Sequence, residues 1–241
     1  MKILFVAPEA VPFAKTGGLA DVAGALPKAL AQLGHDVRVI LPRYRMVDPK
    51  KFGLKKTLEH QPVSVGSIRR DCAVWEARMP HTAIPVYFVD QPDLFDRDGL
   101  YQDKGVDYQD NLERFSVFSQ AVLRLVPSMG WQPDLVHCHD WQTSLLCAHL
   151  AWTASSDPFW QSVGTVLTIH NLAYQGLFAS ESWPLTDLPS QHFSIDGLEF
   201  YGKVNVLKGG LLSADRLTTV SPTYAQEIQS PRAPKVLRPR T

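Results

Sequence analysis

The stretch Lys15-Thr16-Gly17-Gly18-Leu19-Ala20-Asp21-Val22 puts a cation, two adjacent glycines and an acid where an apolar run gives way to a helical pattern. Adjacent glycines let a backbone pass close to a ligand, because no Cβ intervenes. The first N–H groups of a helix lack intrahelical partners, and the helix dipole adds partial positive charge there. With Lys15 just upstream, these groups suit an anion, most simply a phosphate. Asp21 falls in the first helical turn, where its carboxylate suits the dipole and is also placed to receive a sugar hydroxyl. The same letters fit a tight strand-to-helix turn with an N-terminal acid and a solvated lysine. No Gly-x-Gly-x-x-Gly follows the first apolar run, and neither a P-loop nor a Gly-x-Ser-x-Gly elbow is present. Nicotinamide and serine-hydrolase chemistry are therefore disfavoured.

Other chemistry-bearing residues stand at the ends of apolar runs. Ile3 to Ala7 leads to Glu9, Asp134 to Cys138 to His139-Asp140, Thr165 to Ile169 to His170-Asn171, and Arg216 to Val220 to Ser221. In an open doubly wound sheet, ligands sit outside the carboxyl ends of the parallel strands. If these strands are parallel, all four tips open onto one edge beside the Lys15 loop. His137 and His139, two apart on a strand, point to one side. Such a pair can bind a metal and found a hydrolase. No convincing third and fourth ligand accompanies them, so one of the two is expected to pack below the tip.

The elements that must position these residues follow from periodicity. Leu19, Val22, Ala23, Leu26, Leu30 and Leu33 recur at helical spacing, with Pro27 expected to kink or divide the helix and Gly34 to stop it. Val37 to Leu41 reads as a second buried strand, completing a parallel, right-handed strand–helix–strand unit. Val47 to His60 is basic and reads as a solvated loop. Val63 to Ile68, Cys72 to Ala77 and Val86 to Val89 are spaced for hairpins. Pro92 to Asp110 is an acid-rich loop whose alternating aspartates invite a calcium reading, but no glutamate closes the ligand set and no helix pair flanks it. Solvated turn chemistry is the expectation there. Leu112 to Val126 and Trp141 to about Trp152 read as helices, and Trp183 to Phe200 as loop. Val204 to Ala214 reads as a helix weakened by Gly209-Gly210, and Ser221-Pro222 as a helix cap and first turn. Ser230 to Thr241, rich in proline and basic residues, is expected to be disordered.

Composition narrows the function classes. The 241 residues carry 24 Lys plus Arg against 24 Asp plus Glu, so no basic excess points to nucleic acid or an anionic membrane. No apolar segment approaches the roughly 20 residues that span a bilayer, and Met1-Lys2-Ile3 runs straight into the first strand without a signal peptide. Three cysteines without paired spacing fit free thiols in a reducing cytoplasm.

As a set, certain motifs resemble bacterial glycogen synthase and plant starch synthase, specifically the N-terminal domain of those glucosyltransferases. They are Phe5-Val6-Ala7-Pro8-Glu9, the Lys15–Val22 loop, His137-Cys138-His139-Asp140-Trp141-Gln142, Thr168 to Gly176, Asn205 to Gly210, and Thr218 to Ala225. The resemblance covers Met1 to about Gln229. It implies an α/β, Rossmann-like, doubly wound and mostly parallel sheet over residues 1–229, forming the N-terminal half of a GT-B enzyme. It also implies retaining transfer of glucose from ADP-glucose to the non-reducing end of an α-1,4-glucan, with no cofactor. By position, Lys15 and the Gly17-Gly18 backbone would meet the donor phosphates. Asp140 and His170 would contact the transferred glucose, with the His170 carbonyl a candidate to stabilise oxocarbenium-like charge. Glu9, Tyr101, Asp21 and Asn171 would line the acceptor side. The family's second, nucleotide-binding domain does not follow in these residues. The atypical 230–241 tail resembles a frameshifted or prematurely ended gene, or a deliberate fragment. The chain is therefore expected to be inactive alone. A non-catalytic glucan-binding module, a folding remnant and a metal-dependent hydrolase stand as alternatives.

Overall fold

Ile3, Leu4, Phe5 and Val6 are at most 4% exposed, so the first strand is covered on both faces and belongs inside a sheet. The computed structural model describes residues 1–230 and places that strand, β1 (Lys2–Val6), at the centre. There follow α1 (Gly18–Gln32), β2 (Asp36–Pro42), the single turn α2 (Pro49–Phe52), β3 (Lys55–Val65), β4 (Ile68–Arg78) and β5 (Pro85–Asp90). Next come α3 (Pro92–Phe95), a short ribbon of β6 (Gln102–Asp103) and β7 (Val106–Asp107), α4 (Asn111–Ser128), β8 (Leu135–His139), α5 (Trp141–Trp152) and β9 (Gly164–Ile169). Then β10 (Leu177–Ala179), β11 (Glu199–Phe200) and β12 (Lys203–Asn205) form a small separate sheet. The described chain closes with α6 (Val206–Ser213), β13 (Arg216–Thr219) and α7 (Pro222–Ile228).

Among the described residues the main sheet has eight strands in the order β13-β9-β8-β1-β2-β5-β4-β3. Every pair from β13 to β5 is parallel, and β4 and β3 extend one edge antiparallel. The chain builds outward from β1 through β2, then returns to β1's other side at β8. Strand order therefore reverses between β1 and β8, the switch point of a doubly wound sheet. Right-handed crossovers running outward in opposite directions put α1 and α5 on opposite faces. This is the α/β architecture expected from the sequence. The tail expected to be disordered lies outside the described residues, apart from Ser230.

Several local expectations are corrected. Pro27 does not divide α1, which runs unbroken from Gly18 to Gln32. Leu19, Ala20, Ala23, Gly24 and Pro27 are buried along it, and that packing outweighs one missing backbone bond. Val47 to His60 is not a plain loop. Asp48 caps α2 by accepting Lys50 and Lys51 N–H at 2.7 and 2.8 Å, and β3 already begins at Lys55. Pro62 is tolerated in β3 because that strand is the sheet's edge. The acids of Pro92 to Asp110 meet arginines: Arg45 binds Asp96 at 2.7 Å and also Asp98, and Arg97 binds Asp110 at 2.7 Å. Within that segment the β6–β7 ribbon closes on Lys104-Gly105 with φ of 49° and 83°, the pair of positive values a tight hairpin turn requires.

Candidate active site

Glu9, Asp140 and His170 stand just past the parallel strands β1, β8 and β9. Glu9 follows β1 and is only 3% exposed. Its Oε2 accepts the Thr16 N–H and, at 2.8 Å, the Thr16 hydroxyl. Burial pushes the Glu9 carboxyl up, opposed by bonds from Thr16 and the Gly17 amide and by the charge of Lys15. Glu9 thus ties the loop between β1 and α1 to the sheet. The amides left for a ligand are those of the first turn of α1. Gly17 caps that helix with no side-chain bond, and a Cβ added at Gly18 would meet nothing within 4 Å. The helix end is open and has no side-chain cap. Lys15 Nζ lies 2.7 Å from both carboxylate oxygens of Asp21, a half-exposed pair beside that end. Sequence reading gave these two residues separate contacts; the structure pairs them.

Asp140 joins β8 to α5 at φ 55° and ψ −173°, a region that almost only glycine occupies. The conformation is held from several directions. Asp140 N–H donates to Thr168 O at 3.0 Å, its carbonyl accepts the Ser144 hydroxyl at 3.0 Å, and its Oδ1 accepts the His170 N–H at 2.7 Å and the Asn171 N–H at 3.5 Å. Burial raises its carboxyl to about 7, with the bonds from His170 and Asn171 opposing and the charge of Glu9 adding. A half-protonated carboxyl near neutrality is the ordinary equipment of a site that handles charge or protons.

His170 follows β9, and its Nε2 sits 2.9 Å from Nδ1 of His139. Exposed Asn171 turns its Oδ1 back onto the Ala173 N–H at 3.0 Å. The Leu172 N–H next to it donates to the Tyr224 hydroxyl at 2.9 Å, tying this tip to α7. Ser221 serves as the cap of α7, accepting the Tyr224 N–H at 3.1 Å. Tyr101 comes from the loop before β6. Its hydroxyl is buried without a partner, and burial pushes it up, with Tyr44, Glu9 and Asp140 adding. Tyr44 and Arg114 share that environment, each with an unpartnered buried polar atom. Sequence reading passed over both, because a tyrosine after a strand and an arginine on a helix carry no distinguishing spacing.

His137 and His139 do lie on one side, with ring centroids 4.3 Å apart, but both are packed. Nε2 of His137 is engaged with Thr168 Oγ1 at 2.6 Å. Among the described residues no group of three or more His, Cys, Asp or Glu is placed to hold a metal ion. A depression of about 500 Å³ lined by Lys28, His35 and His81 lies on the opposite rim, at the amino ends of β2 and β5, and shares no residue with this site.

The family model for the starch synthase catalytic domain matches residues 2–238. The chain belongs to that family. It is 48% identical over 236 residues to a glycogen synthase of Geotalea uraniireducens, covering 97% of this chain and 48% of the relative. A glycogen synthase of Anoxybacillus flavithermus is 47% identical over 232 residues, covering 96% of this chain and 46% of the relative. Among solved structures, the catalytic domain of Starch Synthase IV from Arabidopsis thaliana, bound to ADP and acarbose, matches with a TM-score of 0.86 at 32% identity. That match covers 97% of this chain and 48% of the other. The chain thus spans about half the length of the curated relatives it matches. Its mostly parallel sheet is that of the starch synthase GT-B catalytic domain. No described helix is long and apolar enough to cross a membrane.

Proposed function

We propose that this starch synthase domain forms the acceptor-side half of a retaining glucosyltransferase that moves glucose from ADP-glucose to the non-reducing end of an α-1,4-glucan. The observation that carries the reading is a shared rim. The start of α1, without a side-chain cap and beside Lys15, and the Asp140–His170 tip both open where strand order reverses. A diphosphate leaving group gains charge as its bond breaks, and a cation with preorganised N–H donors stabilises that charge. We assign this task to Lys15 and the Gly17-Gly18 backbone. Asp140 and His170 contact the transferred glucose, with the His170 carbonyl facing its developing positive charge. Glu9, Asp21, Tyr101 and Asn171 line the acceptor side. The ADP held by the Arabidopsis neighbour supports the nucleotide-sugar donor. Three free, buried cysteines support a reducing cytoplasmic setting.

The chain covers about half of its relatives, so we propose that the 241 residues alone bind ligand but do not turn it over. Transfer of radiolabelled ADP-glucose onto glycogen by the purified chain, at a rate near that of a full-length glycogen synthase, would overturn that claim. Retardation in a glycogen-containing native gel, lost in Tyr101→Ala, is the expected sign of the acceptor side. Unchanged mobility of the parent would count against it.

A further inference from the structure

We propose that His139 is a positioning residue: through its ring contact it fixes His170 as the tautomer protonated on Nδ1, presenting that N–H at the carboxyl-end rim of the sheet. The significance for glucosyl transfer rests on the reading above; the proton assignment does not.

Nδ1 of His139 lies 2.9 Å from Nε2 of His170. His139 is 0% exposed, and its other nitrogen, Nε2, is buried with no hydrogen-bond partner. The rings of Phe5 and His137 pack against it, with centroids at 4.2 and 4.3 Å. Burial drives the His170 ring down to about 4 and His139 well below the usual histidine range, so both are neutral near pH 7.

A neutral imidazole carries one N–H and one lone pair. The contact between the two rings therefore holds one proton, and two arrangements are open. If His170 donates from Nε2, His139 accepts on Nδ1 and must carry its own hydrogen on Nε2. That strands a buried N–H with no acceptor, the rarer and costlier kind of orphan. If His139 donates from Nδ1, only a lone pair is left at its buried Nε2. His170, accepting on Nε2, must then carry its hydrogen on Nδ1. The second arrangement leaves no donor unsatisfied in the interior. His170 is half-buried, and among the described residues its Nδ1 has no partner, so this N–H is available to an oxygen of a bound sugar. His139 touches no substrate in this arrangement. It acts only through His170.

Long-range proton–nitrogen correlation spectra of the uniformly ¹⁵N-labelled chain near pH 7.5 report which nitrogen of each ring carries hydrogen. The expected result is His139 and His170 both protonated on Nδ1 alone. His170 protonated on Nε2, or either ring doubly protonated, overturns the proposal. His139→Phe keeps a flat ring in the stack but removes the donor. In it the His170 Nε2 signal is expected to move from the unprotonated toward the protonated region as tautomers mix, and retention of a pure Nδ1–H His170 overturns the positioning role. Should that variant fail to fold, the parental assignment decides: both rings Nδ1–H supports the proposal and any other combination sinks it. None of these spectra needs ADP-glucose or glucan, so a failure of transfer activity would strike the proposed function and leave this assignment intact.

Discussion

At the scale of single residues, Asp140 and the buried histidines pull stability in opposite directions with pH. The folded Asp140 carboxyl titrates at about 7, against an unfolded value of about 3.9. The folded state therefore favours its protonated form. That contribution is fully present below about pH 4 and is lost as pH rises through 7, amounting to about 4 kcal/mol in all. His137, His149 and His170 are each pushed down to about 4 by burial. Their contribution is present above pH 6.5 and is lost as pH falls toward 4. Asp140→Asn removes one of the two buried carboxyls that oppose the histidines, Glu9 being the other. Its Oδ1 can still accept the His170 N–H, and asparagine tolerates positive φ better than most residues. The variant is expected to melt above the parent at pH 8, with the two curves converging near pH 4. Equal melting temperatures across pH 4 to 8 would show that Asp140 is not held protonated by its surroundings. The identity of this residue as a strand tip was legible in the sequence from the apolar run before it. Its backbone strain was not, because φ is imposed by Thr168, Ser144 and His170, which lie elsewhere in the chain.

At the scale of elements, the glycines of α1 and α6 separate into two kinds. Gly210 looks like a flaw in a helix, costing about 1 kcal/mol against alanine. In the structure it is where α6 meets α5 and the sheet: an added Cβ would stand 2.6 Å from Ser144 Cβ and 2.9 Å from Leu167 Cδ2. Gly210→Ala is expected to destabilise by about 1–3 kcal/mol, seen as a fall of several degrees in thermal unfolding. Gly18 faces open space, so Gly18→Ala should leave stability unchanged or raise it by up to about 1 kcal/mol. If the start of α1 takes the donor phosphates, the same variant should lose affinity for ADP-glucose in calorimetric titration. A variant that binds as well as the parent would remove the donor from this helix end. Sequence alone could place both glycine pairs but could not tell a packing glycine from one that faces open space. That distinction depends on partners such as Ser144, 66 positions away from Gly210 (roughly the span of two strand–helix units). β3 is only partly legible for a related reason: Pro62, Lys55 and Lys56 argue against a strand until the edge position explains them.

At the scale of the whole molecule, protection is uneven, and the unevenness touches the site. β1 is paired on both sides and buried, whereas β13 pairs only with β9 among the described residues and is largely exposed. No residue of α7 is buried, and Leu212, Leu217 and Val220 around it are 51%, 47% and 50% exposed. Regions with few buried contacts open locally at low free energy. Amides of β13 and α7 are therefore expected to exchange at least about 100-fold faster than those of β1 and β8, a difference of about 2.8 kcal/mol in opening free energy. The opening should reach the candidate site along one identifiable bond, because the Tyr224 hydroxyl of α7 accepts the Leu172 N–H two residues past His170. Leu172 should exchange together with α7 rather than with the β9 amides before it. Tyr224→Phe, which removes the acceptor and keeps the ring, should speed exchange at Leu172 while leaving Leu167 and Ile169 unchanged. Equal protection of β13 and β1 in the parent would mean that the exposed flank is covered in solution. Dilution of the sample would then separate coverage by a second copy, which is lost, from a stability intrinsic to the chain, which is not.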